Sequence, residues 1–187
     1  MNARAPVRYG AVAILLHWVT AALVFTLFVL GWRMVSLPLS PSKFALYAQH
    51  KSLGLVVLAL SSFRLIWRLT HGVPQAVDES LWRRRAATMV HGLIYATLFA
   101  LPLSGWLFNS VVGFPLSFFG VIDIPPLSAP RPEWKETARL AHVWLGYALL
   151  AALGLHVAAA VHRQFVRRDG TIARMLPNFG QSARRPI

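Results

Sequence analysis

An all-α membrane protein, built as a bundle of four transmembrane helices, is the fold class this sequence predicts, and three observations predict it. Apolar residues make up 56% of the 187 positions and charged residues only 13%, about half the roughly 25% that a soluble domain carries. The apolar residues gather in four runs, each near the roughly 20 residues needed to cross about 30 Å of hydrocarbon. The net charge is nevertheless +13. Its Lys and Arg residues lie between and beyond the apolar runs, where they meet anionic headgroups; this excludes the nucleic-acid reading of a basic chain. A single domain, residues 1–187, is expected at this length.

The first run extends from about Val12 to Trp32. The basic stretch before it resembles the start of a secretory leader, but no small-residue cleavage site ends the run early, so it is read as a retained helix. The second run covers about Leu46 to Ile66, after a break at Pro38 and Pro41; the third covers about Thr88 to Val111, after Gly72 and Pro74. A Pro-rich segment from Pro115 to Pro132 precedes the fourth run, about Leu140 to Val161. It is too long for a bare turn and is expected to cap the outer end of the bundle. The absence of cysteine removes disulfides, iron–sulfur clusters and thiolate metal sites.

Basic residues orient the bundle. With the N-terminus inside, 13 of the 19 (Arg4, Arg8, Arg64, Arg68, Arg83, Arg84, Arg85, Arg163, Arg167, Arg168, Arg174, Arg184 and Arg185) fall on the cytoplasmic side, against 6 outside (Arg33, Lys43, Lys51, Arg131, Lys135 and Arg139). Both termini are therefore expected in the cytoplasm.

The chemistry is carried by histidine. Five of seven lie within or at the edge of the expected spans: His17, His50, His91, His142 and His156. Ionisable groups at membrane depth are costly and usually functional; the bland alternative is a hydrogen bond to a neighbouring helix, for which five histidines would need five polar partners. His142 and His156 are fourteen positions apart, a rise of about 21 Å, and their side chains point within roughly 40° of each other. One helix thus aims an imidazole inward near each membrane face. His50 meets His142 at the outer level and His17 meets His156 at the inner level. Two bis-histidine pairs stacked across a bilayer suit two six-coordinate haems. A porphyrin against a helix also needs space one turn from its ligand, and the residues four after the proposed ligands are Ala21, Gly54, Gly146 and Ala160. The residue four after His91 is Tyr95, which makes His91 the weakest ligand candidate. A histidine di-metal site or an ion transporter without haem is the rival reading. Both ordinarily use carboxylates, and all six acidic residues fall outside the expected spans.

The segments Leu16-His17-Trp18, His50-Lys51-Ser52-Leu53-Gly54, Arg64-Leu65-Ile66-Trp67-Arg68, Leu145-Gly146-Tyr147, and Arg168-Asp169-Gly170-Thr171 through Met175-Leu176-Pro177 resemble the bacterial cytochrome b561 family from about Tyr9 to Pro177. That family is similar to the cytochrome b subunits of nickel hydrogenases and formate dehydrogenases, and its stand-alone members include a superoxide oxidase that reduces ubiquinone. The resemblance implies two haems b in the inner (cell) membrane, on His17 with His156 and on His50 with His142. It also implies a ubiquinone site beside the inner haem. The activity implied is that of a superoxide:ubiquinone oxidoreductase, with an electron-carrying anchor for a partner dehydrogenase as the alternative. One departure bears on the quinone site. Where relatives commonly carry paired histidines after the last ligand, this chain reads His162-Arg163-Gln164, so His162, Arg163 or Gln164 must serve instead.

The remaining candidates are weighed by position. His91 lines the quinone site, bonds a haem propionate, or packs. Arg68 either reaches headgroups or binds a propionate or quinone carbonyl. Arg64 is expected to snorkel to headgroups, His71 to sit in a solvated loop, and Arg83-Arg84-Arg85 to fix topology. The basic outer side would concentrate an anionic donor such as superoxide.

Overall fold

The computed structural model describes residues 8–72 and 80–176. Within them four helices are long and apolar enough to cross a membrane: α1 (Ala11–Ser36), α2 (Pro41–His71), α3 (Leu81–Val112) and α4 (Lys135–Phe165). Each begins or ends beyond the apolar run that announced it, because local signals, not hydropathy, set the ends. The chain leaves α1 in an extended conformation at Leu37, as the residue before Pro38 must. It enters α2 with the Ser40 hydroxyl accepting from the Lys43 amide and with Pro41 in the first turn, where a missing N–H costs nothing. Gly72, at φ 67°, stops α2. His71 is consequently helical, not part of a loop; its ring stacks on Trp67 at 3.7 Å. Gly113 ends α3 at φ 79°, its amide donating to the Ser110 carbonyl and the Phe114 amide to that of Asn109, a double bond pattern that satisfies two orphan carbonyls.

The segment after α3 folds as a hairpin. Strand β1 (Leu116–Phe118) pairs antiparallel with β2 (Ile122–Ile124), in the register Leu116↔Ile124 and Phe118↔Ile122. Phe119 and Gly120 turn between them, both at positive φ, the twist that tight hairpins prefer. A single 3₁₀ turn, Pro132–Trp134, leads into α4, and another, Ala173–Met175, follows it.

Backbones approach closely between α1 and α2, α2 and α3, and most extensively α3 and α4. A buried cluster of Val24, Val57, Ile94, Leu98, Leu149 and Ala152 draws from all four helices. Leu149 lies midway between His142 and His156, so this apolar layer separates the two histidine levels. Large apolar side chains such as Phe25, Met89, Trp144 and Leu155 stand exposed around the outside, which suits a lipid-facing surface. The hydroxyls of Thr26, Ser62, Thr97 and Ser110 donate to the carbonyl one turn back, satisfying them within their own helices.

Candidate functional site

α4 carries the two histidines that organise the interior. His156 faces His17 of α1, ring centres 6.2 Å apart; His142 faces His50 of α2, ring centres 6.3 Å apart. All four rings are part-buried. Two imidazoles binding one metal from opposite sides, at about 2.0 Å per bond, stand about 6 Å apart centre to centre. Both pairs match that span.

The surroundings test the fit further. At the His50–His142 level, His142 Nδ1 lies 3.1 Å from the Leu101 carbonyl and 3.0 Å from the Ser104 hydroxyl. A carbonyl only accepts, so Nδ1 carries the proton and Nε2 keeps its lone pair. The His50 ring has the Leu27 carbonyl as its backbone partner, although its Nδ1 makes no hydrogen bond of normal geometry. Glycines border these rings. A Cβ on Gly105 would come within 3.0 Å of His142, and one on Gly31 within 3.6 Å of His50, whereas a Cβ on Gly54 or Gly146 would meet nothing within 4 Å. The open flank beside Gly54 and Gly146 is the clearance a flat macrocycle requires one turn from its ligands. The residues of this level fit haem.

The His17–His156 level is more crowded. His91 of α3 stands edge-on to His156 at 5.1 Å, too near for the two to bind one metal from opposite sides. Its Nδ1 donates to the Ala87 carbonyl at 2.7 Å. Arg64 reaches across to α1: one of its terminal nitrogens (Nη2) is 3.0 Å from His17 Nδ1. A guanidinium only donates, so this contact places the His17 proton on Nε2. His17 therefore fits a metal through Nε2 only once Arg64 turns aside and the tautomer switches. The face of Tyr95 is beside both Arg64 and Arg68, at 5.5 and 5.7 Å. Sequence reasoning treated Tyr95 only as an obstacle to His91 and missed its place beside the two cations; a tyrosine one turn from a membrane histidine was the available signal.

The other candidates divide. His162 is exposed. Arg163 donates to the Asp169 carboxylate at 2.9 Å and the Thr171 hydroxyl at 2.8 Å, and Gln164 accepts from the Ile172 amide. These contacts fold residues 166–176 back toward α1, where the Trp18 indole donates to the Met175 carbonyl at 2.7 Å and Arg8 to the carbonyls of Ala173 and Leu176. Burial pushes the Asp169 carboxyl up, but hydrogen bonds from the Thr171 hydroxyl and amide, together with the Arg163 cation, outweigh it and hold the group below its usual range.

The hairpin docks on α2 directly after His50. The buried Ser52 hydroxyl accepts from the Phe119 amide at 2.9 Å and donates to the Ser117 carbonyl at 3.3 Å. The Lys51 ammonium donates to Asn109 Oδ1 and the Pro115 carbonyl. Among the described residues no group of three or more His, Cys, Asp or Glu side chains could hold a bare metal ion.

The family profile described as prokaryotic cytochrome b561 matches residues 8–178. The chain is 31% identical to cytochrome b561 homolog 2 of Escherichia coli over 173 residues, covering 91% of this chain and 92% of the relative. It is 31% identical to cytochrome b561 homolog 1 of the same organism over 179 residues, covering 91% and 97%. It is 27% identical to a probable superoxide oxidase, CybB, of Yersinia pestis over 174 residues, covering 91% and 96%. With four spanning helices and a profile match over nearly its whole length, this multi-pass membrane protein belongs to the prokaryotic cytochrome b561 family, and with it to the b-haem electron carriers.

Proposed function

We propose that the protein carries electrons across the bacterial inner membrane, from a donor on the outer side to ubiquinone at the inner level, with superoxide as the donor and both termini cytoplasmic. Two haems b would be held by His50 with His142 and by His17 with His156. The observation that carries this reading is the pair of facing imidazoles at 6.2 and 6.3 Å, one at each end of the same helix. Likeness to the probable superoxide oxidase of Yersinia pestis supports superoxide as donor, as does the basic outer side of the chain.

Bound haem supplies a reversible one-electron couple whose potential its ligands and their hydrogen bonds set. The chain's own residues do the rest. The Leu101 carbonyl and Ser104 hydroxyl hold His142 in the tautomer that offers Nε2. The apolar layer around Val57 and Leu149 keeps water from the space between the levels. Arg64, once turned from His17, would supply a cation for a propionate, and the Tyr95 ring faces the charge of both Arg64 and Arg68. For quinone, His91 and Arg68 are better placed than Arg163, whose contacts brace the C-terminal segment; exposed His162 lies at the end of α4.

A dithionite-reduced minus oxidised spectrum of the detergent-purified protein, with pyridine-haemochrome quantitation, tests the reading. Two low-spin b haems per chain are expected in wild type and one in His142→Ala. A haem-free protein expressed with ample haem would overturn it.

A further inference from the structure

α3 carries none of the four proposed haem ligands, yet two of its oxygens lie within 3.1 Å of His142 Nδ1. Three features of one turn of α3 converge there. The Leu101 carbonyl accepts from the Ser104 hydroxyl at 2.7 Å and from His142 Nδ1 at 3.1 Å. The same Ser104 oxygen is 3.0 Å from His142 Nδ1. Because its hydrogen is spent on Leu101, that oxygen faces the imidazole as an acceptor. His142 Nδ1–H thus has two oxygen acceptors. Gly105, next in sequence, leaves the room: a Cβ there would stand 3.0 Å from the ring's Cε1 and 3.2 Å from Nδ1, so any side chain would displace the imidazole.

The other three proposed ligands lack this arrangement. His17 Nδ1 faces a cation, Arg64; the His50 imidazole has the Leu27 carbonyl as its backbone partner but no oxygen within normal hydrogen-bond geometry of Nδ1; and among the described residues the His156 ring has no hydrogen bond to an oxygen. A hydrogen bond from the non-ligating nitrogen to an oxygen makes an imidazole a more basic ligand and fixes its plane. A more basic ligand favours the ferric over the ferrous ion, and hence a lower reduction potential.

We propose that the Leu101–Ser104–Gly105 turn of α3 positions and polarises His142, lowering the potential of the outer haem relative to the inner one and so directing electrons inward. Ser104 and Gly105 are positioning residues, acting through His142. The inference rests on the haem assignment above, and the experiment separates the two.

The test is a spectroelectrochemical titration of the purified, haem-loaded protein, read component by component, beside low-temperature electron paramagnetic resonance of the ferric form. Ser104→Ala removes one acceptor without adding bulk. The expected result is an upward shift in the midpoint of the lower-potential component, the other component unmoved, with two haems retained. Ser104→Thr, which keeps the hydroxyl, restores the wild-type midpoint. Gly105→Ala presses on the ring and shifts the low-spin signal of that same component. Ser104→Ala with both midpoints unchanged would overturn the proposal, as would a shift in the component that survives in His142→Ala. Should Ser104→Ala fail to accumulate, Gly105→Ala decides it: a shift confined to the component lost in His142→Ala supports the proposal, and no shift, or a shift in the other component, overturns it. If His142→Ala removes neither component, the haem assignment itself fails.

Discussion

Replacing Ser52 with alanine should loosen the hairpin tip and little else. Ser52 is 1% exposed, and its hydroxyl both accepts from the Phe119 amide at 2.9 Å and donates to the Ser117 carbonyl at 3.3 Å. Alanine fits the space but leaves the Phe119 amide without its acceptor, at a cost of about 1–3 kcal/mol. That amide sits in a left-handed turn and has no other partner in the closed form, so the whole cost falls on the closed hairpin. Converted at 1.4 kcal/mol per tenfold, the opening equilibrium rises roughly 5- to 150-fold. The base of the hairpin stays tied through Lys51 to Asn109 and Pro115, which confines the effect. The assay is amide hydrogen exchange in lipid nanodiscs, followed residue by residue. Exchange at Phe119 and Val121 should accelerate by that factor, while Gly113 and Arg131 keep wild-type rates. Unchanged exchange at Phe119 would refute the latch, and equal acceleration at Gly113 and Arg131 would show global loosening instead.

Trp18→Phe removes the indole donor to the Met175 carbonyl; at about 1 kcal/mol for one hydrogen bond, trypsin cleavage after Arg167 or Arg168 should become roughly fivefold faster. Asp169 has a carboxyl held below its usual range, so its contribution to the C-terminal fold is full above the ordinary carboxylate value and is lost as pH falls through the lower folded value. Exchange protection of the Thr171 amide, which donates to Asp169, should therefore persist at pH 5 and collapse only below about pH 4, and Asp169→Asn should flatten that dependence. Gly113→Ala forces a side chain into a left-handed backbone and to 3.3 Å from Pro130, which should cost about 1–2 kcal/mol and lower the thermal midpoint of detergent-solubilised protein; an unchanged midpoint would mean the cap relaxes.

The spans and the histidine pairs were legible because they depend on properties that sequence carries locally. Hydropathy marks a membrane crossing, and fourteen positions return to one helix face, so His142 and His156 announce a shared interior. The longer helices were partly legible too: Ser40-Pro41 is a start signal, and Gly113 a stop signal, that hydropathy alone overlooks. The hairpin was not, since two three-residue strands are too short to show alternation. Neither was the Ser104 contact. It links positions on different helices, and only the packing of α3 on α4 brings them together. The Arg64 contact was hidden for a related reason. A basic residue near a helix end reads as a headgroup anchor, and nothing local reveals that a histidine on the neighbouring helix lies within its reach.

Having a single helix complete both histidine pairs also fixes an order of manufacture. His17 and His50 are synthesised and inserted long before α4 emerges, and chains generally assemble from their N-terminal parts onward. Neither imidazole has its facing partner until that last spanning helix enters the bilayer. The early helices therefore wait in lipid as an incomplete scaffold, and both sites mature together. A truncation anywhere before α4 leaves His17 and His50 each without its facing imidazole.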